Sequence, residues 1–89
     1  MKNWAHCDAV GIELLGPALE RVPRLRAEFV SWTEAPELWV RRAGMVAFLS
    51  SARRGLYGEV TAELVEKGRR DPELYVRKGT EWLATAAMI

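Results

Sequence analysis

The heptapeptide Pro36-Glu37-Leu38-Trp39-Val40-Arg41-Arg42 returns as Pro72-Glu73-Leu74-Tyr75-Val76-Arg77-Lys78, displaced by 36 residues. Five positions are identical, and the other two trade an aromatic for an aromatic and a cation for a cation. A period of this size marks a helical solenoid, in which each unit buries its apolar face against a neighbour. Nothing in the chain alternates with period two over a useful length, so strands are not expected. The expected fold is all-α, a stack of about five helices joined by short connections.

The helix signals fit that period. Asn3 can cap a helix running from Trp4 to about Leu15, where Gly16-Pro17 interrupts it. A second segment runs from about Pro17 to Thr33, bent or split at Pro23. Ala35-Pro36 opens a third that continues to about Arg54, and Gly55-Leu56-Tyr57-Gly58 is a turn before a helix from Glu59 to Arg69. Asp71-Pro72 then reads as N-cap and first helical residue of a last helix ending near Ile89. The 36-residue offset equates the third helix with the fifth, giving about two and a half helical pairs where stacks normally have three or more. Leu83 to Ile89 carry no charge and read as a packing face. Residues 1–89 are thus expected to be one domain belonging to a longer repeat stack, or pairing with another copy through that apolar face.

Charge distribution says more than net charge, which is only +1. Between Leu38 and Gly58 every charged residue is basic (Arg41, Arg42, Arg53 and Arg54), so a local positive patch is expected within a balanced chain. Cys7 is the single cysteine, which excludes an intramolecular disulfide and fits a reducing cytoplasm. The start lacks a signal-peptide core, and the uncharged run Ala43 to Leu49 is far too short to span a bilayer, so no membrane partner is expected.

Trp4 and Asp8 stand four residues apart and share a helical face, which Ile12 and Leu15 extend as an apolar stripe. A carboxylate in such a setting needs a partner, and Arg42 is a candidate for it. Tyr75, Lys78 and Trp82 follow i, i+3, i+7 spacing and share a face of the last helix. A groove lined by Trp4, Asp8, Arg42, Lys78 and Trp82 would hold one acid, two cations and two indoles. Arg41 and Arg42 point about 100° apart on a helix, so one can face the groove while the other is solvated or paired with Glu37.

Three elements in order carry a resemblance: Asn3-Trp4-Ala5-His6-Cys7-Asp8, then Trp39-Val40-Arg41-Arg42-Ala43, then Val76-Arg77-Lys78-Gly79-Thr80-Glu81-Trp82. Together they resemble the DNA alkylation repair glycosylases of the AlkD type, which are stacks of HEAT-like α-α superhelical repeats. The family's tryptophan four residues before an aspartate matches Trp4 and Asp8, its aromatic-x-x-Arg matches Trp39 and Arg42, and its Lys-x-x-x-Trp matches Lys78 and Trp82. The resemblance implies excision of N3- or N7-alkylated purines from double-stranded DNA. It assigns catalysis to Asp8, Trp4 and Trp82 and DNA contact to Arg42 and Lys78, with Arg41 beside them, and it calls for no metal or other cofactor. Family members have further helices before the first element and after the last.

Plainer readings stand beside these. Trp32 and Trp39 suit a core, and Trp4 can be a core anchor with Asp8 a surface carboxylate. Arg53-Arg54 and Lys67 to Arg70 lie near helix C-termini, where the dipole favours cations without DNA. His6 and Cys7 are adjacent, which turns their side chains apart and argues against a nucleophilic dyad. The competing functional class is a non-catalytic helical-repeat module that binds DNA or a protein.

Overall fold

In the computed structural model, which describes residues 11–88, both copies of the heptapeptide start a helix in the same way. Glu37 (φ −87°, ψ 130°) precedes Leu38, and Glu73 (φ −91°, ψ 125°) precedes Leu74, each extended just before the chain turns helical. Pro36 and Pro72 therefore lie ahead of the helices instead of in their first turns, and Asp71 is not the N-cap residue. It acts two residues earlier. Its Oδ1 accepts the Glu73 amide at 2.9 Å, an Asx turn that orients the entering chain.

The described elements are a π-helical turn (Gly11–Leu15), α1 (Gly16–Arg21), α2 (Leu25–Trp32), α3 (Leu38–Val46), α4 (Leu49–Arg53), α5 (Gly58–Arg69) and α6 (Leu74–Ala87). No strand occurs among the described residues, and the fold is all-α. The expected N-cap Asn3 and the helix from Trp4 to residue 10 lie outside them. Where a break was expected at Gly16-Pro17 the chain stays helical, the π-helical turn running directly into α1 with the proline near its start. Pro23 does split the second segment. Val22 ahead of it is pushed to an extended conformation (φ −129°, ψ 81°), which ends α1 at Arg21.

The third helix is not continuous to Arg54. The Phe48 amide bonds Met45 O at 3.2 Å, a tightened i→i−3 step, and the helical pattern resumes as α4. That adjustment seats Phe48 and Leu49 in the core with Leu19, Met45, Leu64 and Leu83. Gly55 (φ 74°) then closes α4, with the Gly55 amide on Ala52 O at 3.0 Å and the Leu56 amide on Ser51 O at 2.9 Å. These two bonds make a Schellman stop, which needs the left-handed conformation that glycine adopts without strain.

Helices α2 and α3 form one packed pair and α5 and α6 the next, while α3 and α6, the two helices related by the repeat, lie against each other. At the α5–α6 crossing, a Cβ on Gly68 would collide with Thr80 Oγ1 and Met45 Cε. Only hydrogen at that position lets the two helices approach so closely. No described helix is long and apolar enough to cross a membrane.

The two repeats are fastened by Arg41. Its Nε and Nη2 donate to Asp71 Oδ2 and Oδ1 at 2.8 and 3.1 Å, and its Nη1 donates to Ala35 O and Pro36 O at 3.0 and 2.9 Å. The anticipated pairing of an arginine with Glu37 is replaced by this longer-range clasp. Arg77 repeats half of it, its Nη1 donating to Asp71 O at 2.7 Å. Asp71 stands 36 residues after Ala35, so the two arginines grip equivalent loop carbonyls.

Burial alone would raise the Asp71 pKa. The Arg41 and Glu73 hydrogen bonds, with the charges of Arg41 and Arg77, outweigh that and hold it below its ordinary 3.8. A depressed carboxylate stabilises the fold fully above its unfolded pKa and loses that contribution as pH falls through the folded value. Asp71→Asn is therefore expected to cost about 2 kcal/mol at pH 7, the scale of a charge-assisted bond. Urea denaturation at pH 7 and near pH 2 checks this, the gap between wild type and variant narrowing at the lower pH.

Candidate nucleic-acid interface

The heptapeptide places equivalent side chains of successive repeats next to each other. Trp39 of α3 and Tyr75 of α6 stack with ring centroids 5.4 Å apart and planes tilted 30°. Tyr75 is exposed and Trp39 half-buried, so one side of the pair faces solvent. The plain reading of Trp39 as a core residue thus gives way to a surface aromatic step. Trp32 does pack on the core, half-buried and 5.0 Å from Phe29.

One helical turn beyond each aromatic stands its cation. Arg42 is 5% exposed, and its Nη1 donates to Tyr75 O at 2.6 Å, linking α3 to the first turn of α6. Gly79 makes room for it, since a Cβ there would stand only 3.3 Å from Arg42 Cγ. Lys78, the equivalent residue in the second repeat, is exposed. Tyr75, Lys78 and the half-buried Trp82 occupy one side of α6, as their spacing predicts. Trp82 also packs on the core cluster.

The basic stretch does not assemble into a bare positive patch. Arg41 is clasped to Asp71, Arg54 pairs with Glu20 at 2.6 Å, Arg42 is buried, and Arg53 stays exposed. The acids that neutralise the stretch come from distant parts of the chain. Near the helix C-termini, Lys67, Arg69 and Arg70 meet Glu34, Glu81 and Glu66.

Trp4 and Asp8 lie outside the described residues. The π-helical turn of residues 11–15 packs on α3. Sequence reasoning missed the Arg41–Asp71 clasp, although its signal was present: an acid-proline loop repeats the position of Ala35 and stands 30 residues after the arginine. It also missed the Tyr75 carbonyl as the acceptor for Arg42, because a backbone acceptor leaves no mark in the side-chain pattern.

The described residues thus form a stack of two helical repeats, with the Trp39–Tyr75 step and the exposed Lys78 on one side. The chain belongs to the DNA alkylation repair enzyme family, whose family model matches residues 1–86. No curated protein and no solved structure matches it.

Removing the buried cation checks how this surface is held. Arg42→Ala is expected to lower stability by about 2–3 kcal/mol, through lost packing against Gly79 and the lost bond to α6. Arg42→Lys restores the charge but not the planar fork, and is expected to recover less than half. Denaturation midpoints of the three proteins give the comparison.

Proposed function

We propose that the protein is a DNA glycosylase that excises N3- or N7-alkylated purines from duplex DNA. The observation that carries the reading is the family match over residues 1–86, which spans Trp4 and Asp8 as well as the Tyr75, Lys78 and Trp82 side of α6. An alkylated purine is already a cation and a good leaving group. As its bond to the sugar breaks, the electron pair departs with the base and positive charge grows on the deoxyribose. A water oxygen then bonds to C1′ and releases a proton.

In this reading the Asp8 carboxylate stabilises the developing charge and orients the water. The Trp4 and Trp82 indoles face the sugar and add cation–π attraction of about 0.5–2 kcal/mol each. Lys78 meets a phosphate, and Arg42, buried beside α6, adds positive potential from within. The test is release of N7-methylguanine or N3-methyladenine from methylated duplex DNA. Asp8→Asn is expected to lower the excision rate about 100-fold or more, the scale of a lost preorganised electrostatic group. An unchanged rate rejects the role given to Asp8.

The internal pairing of Arg41 and Arg54 favours a second reading, a repeat module that holds DNA lightly without turnover. On the Tyr75 and Trp82 side of α6 Lys78 is exposed while Arg42 is buried, so few counterions are released there. The logarithm of the binding constant is expected to fall against the logarithm of salt concentration with a slope near −2, the value for about two phosphate contacts. Lys78→Ala is expected to flatten that slope by about one. Fluorescence anisotropy titrations at several salt concentrations measure both, and binding with no base release favours the module.

A further inference from the structure

Helix α2 leads into the loop whose Ala35 and Pro36 carbonyls Arg41 holds, so its start lies at the far end of the α2–α3 hairpin from the clasp. That far end collects charge of one sign. Tight turns carry the chain from α1 into α2, the Leu25 amide bonding Val22 O at 2.9 Å and the Arg26 amide Pro23 O at 3.0 Å. Two side-chain contacts tie this connection to the end of α4 and the turn after it. Arg54 Nη1 donates to Glu20 Oε1 at 2.6 Å, and the Arg26 guanidinium stands over the Tyr57 ring, 6.0 Å from its centroid. Arg21, Arg24, Arg26, Arg53 and Arg54, all exposed, are thereby gathered at one end, with Glu20 bound among them. Among the described residues no carboxylate pairs with Arg21, Arg24, Arg26 or Arg53.

The ring beneath Arg26 is held under strain. Tyr57 takes φ 55°, ψ 39°, a left-handed conformation that a bulky side chain rarely adopts, so its surroundings must fix it there. They do so from the core side, where Phe48 meets the ring edge-on with centroids 5.9 Å apart. The opposite neighbour of the ring is Arg26, which is therefore placed and not merely solvated. Leu56, between Arg54 and Tyr57, is 43% exposed, and Pro23, beside Arg24, is exposed as well.

We propose that this arginine-rich end docks a short acidic segment of another protein, one that carries an apolar residue between its carboxylates. Charge complementarity calls for the acid, and Glu20 on Arg54 already shows a carboxylate seated in the cluster. Leu56 calls for the apolar residue. A DNA backbone fits less well, since it offers a long row of phosphates and nothing apolar. Exposed acids interrupt such a row: Glu28 follows Arg24 by four residues along α2, and Glu59 stands in the first turn of α5. A short peptide stays within those limits. The proposal is independent of the reading given to Asp8 and the Tyr75 side of α6.

Fluorescence anisotropy of a labelled peptide with aspartates on both sides of a leucine tests it. Replacing those aspartates with asparagine is expected to weaken binding about tenfold or more, and Leu56→Ala about threefold. Arg24→Glu combined with Arg53→Glu is expected to match the asparagine peptide's loss, while release of N7-methylguanine from methylated duplex DNA stays unchanged. The asparagine peptide makes the same point on the unaltered protein, whatever the charge reversals do to folding. Equal binding of the aspartate and asparagine peptides, or of the wild type and the doubly reversed protein, overturns the proposal. So does a doubly reversed protein that loses affinity for undamaged duplex DNA when the wild type binds no peptide, which assigns this end to nucleic acid.

Discussion

The clasp between Arg41 and Asp71 is the contact on which the geometry of the stack depends. Apolar burial between α3 and α6 supplies attraction but little register, because helices carrying Val, Ala, Met and Leu can slide with modest loss. A guanidinium fork closing on a carboxylate at 2.8 and 3.1 Å tolerates no such slide. The side chains are only 14% and 11% exposed, so water does not stand in for either partner, and a displaced fork leaves two charges poorly solvated. Because Nη1 also holds Ala35 O and Pro36 O, one residue fixes the start of its own helix and the start of the next.

That arrangement explains why the repeated heptapeptide is repeated. Glutamate at 37 and 73 takes the same extended conformation, leucine opens each helix, and arginine at 41 and 77 reaches back to the equivalent loop carbonyl of its own repeat. The aromatic and the second cation do not make the start of the helix. They occupy the side where equivalent residues of neighbouring repeats meet, as Trp39 does with Tyr75. Within one short motif, structural and surface positions alternate around the helix.

Much of this was legible in the residues. The 36-residue offset identified the equivalent helices, and Pro23 and Gly55 marked ends with known backbone consequences. Less legible were places where tertiary packing overrides local preference. Nothing local says that Phe48 must tighten the helix to reach the core, or that Pro17 can be absorbed without a break. The basic stretch misled for a related reason. Counting charges along the chain placed Arg41, Arg42 and Arg54 in one patch, but Asp71, the Tyr75 carbonyl and Glu20 reach them only across the fold. The spacing of Tyr75, Lys78 and Trp82 survived because one helix alone determines it.

Stability and the proposed chemistry are consequently coupled through register. Arg42 sits against Gly79 and holds Tyr75 O, next in sequence to the clasp arginine on α3 and in contact with the first half of α6. A shift of α6 large enough to open the Arg41 fork would also move Tyr75 away from Trp39 and carry Lys78 and Trp82 with it. Phosphate contact and indole placement both demand positions good to about half an ångström, closer than loose helix packing guarantees. The clasp that ties the repeats together is therefore also what aims the surface to which the proposed function assigns DNA, and the stack cannot lose one without blurring the other.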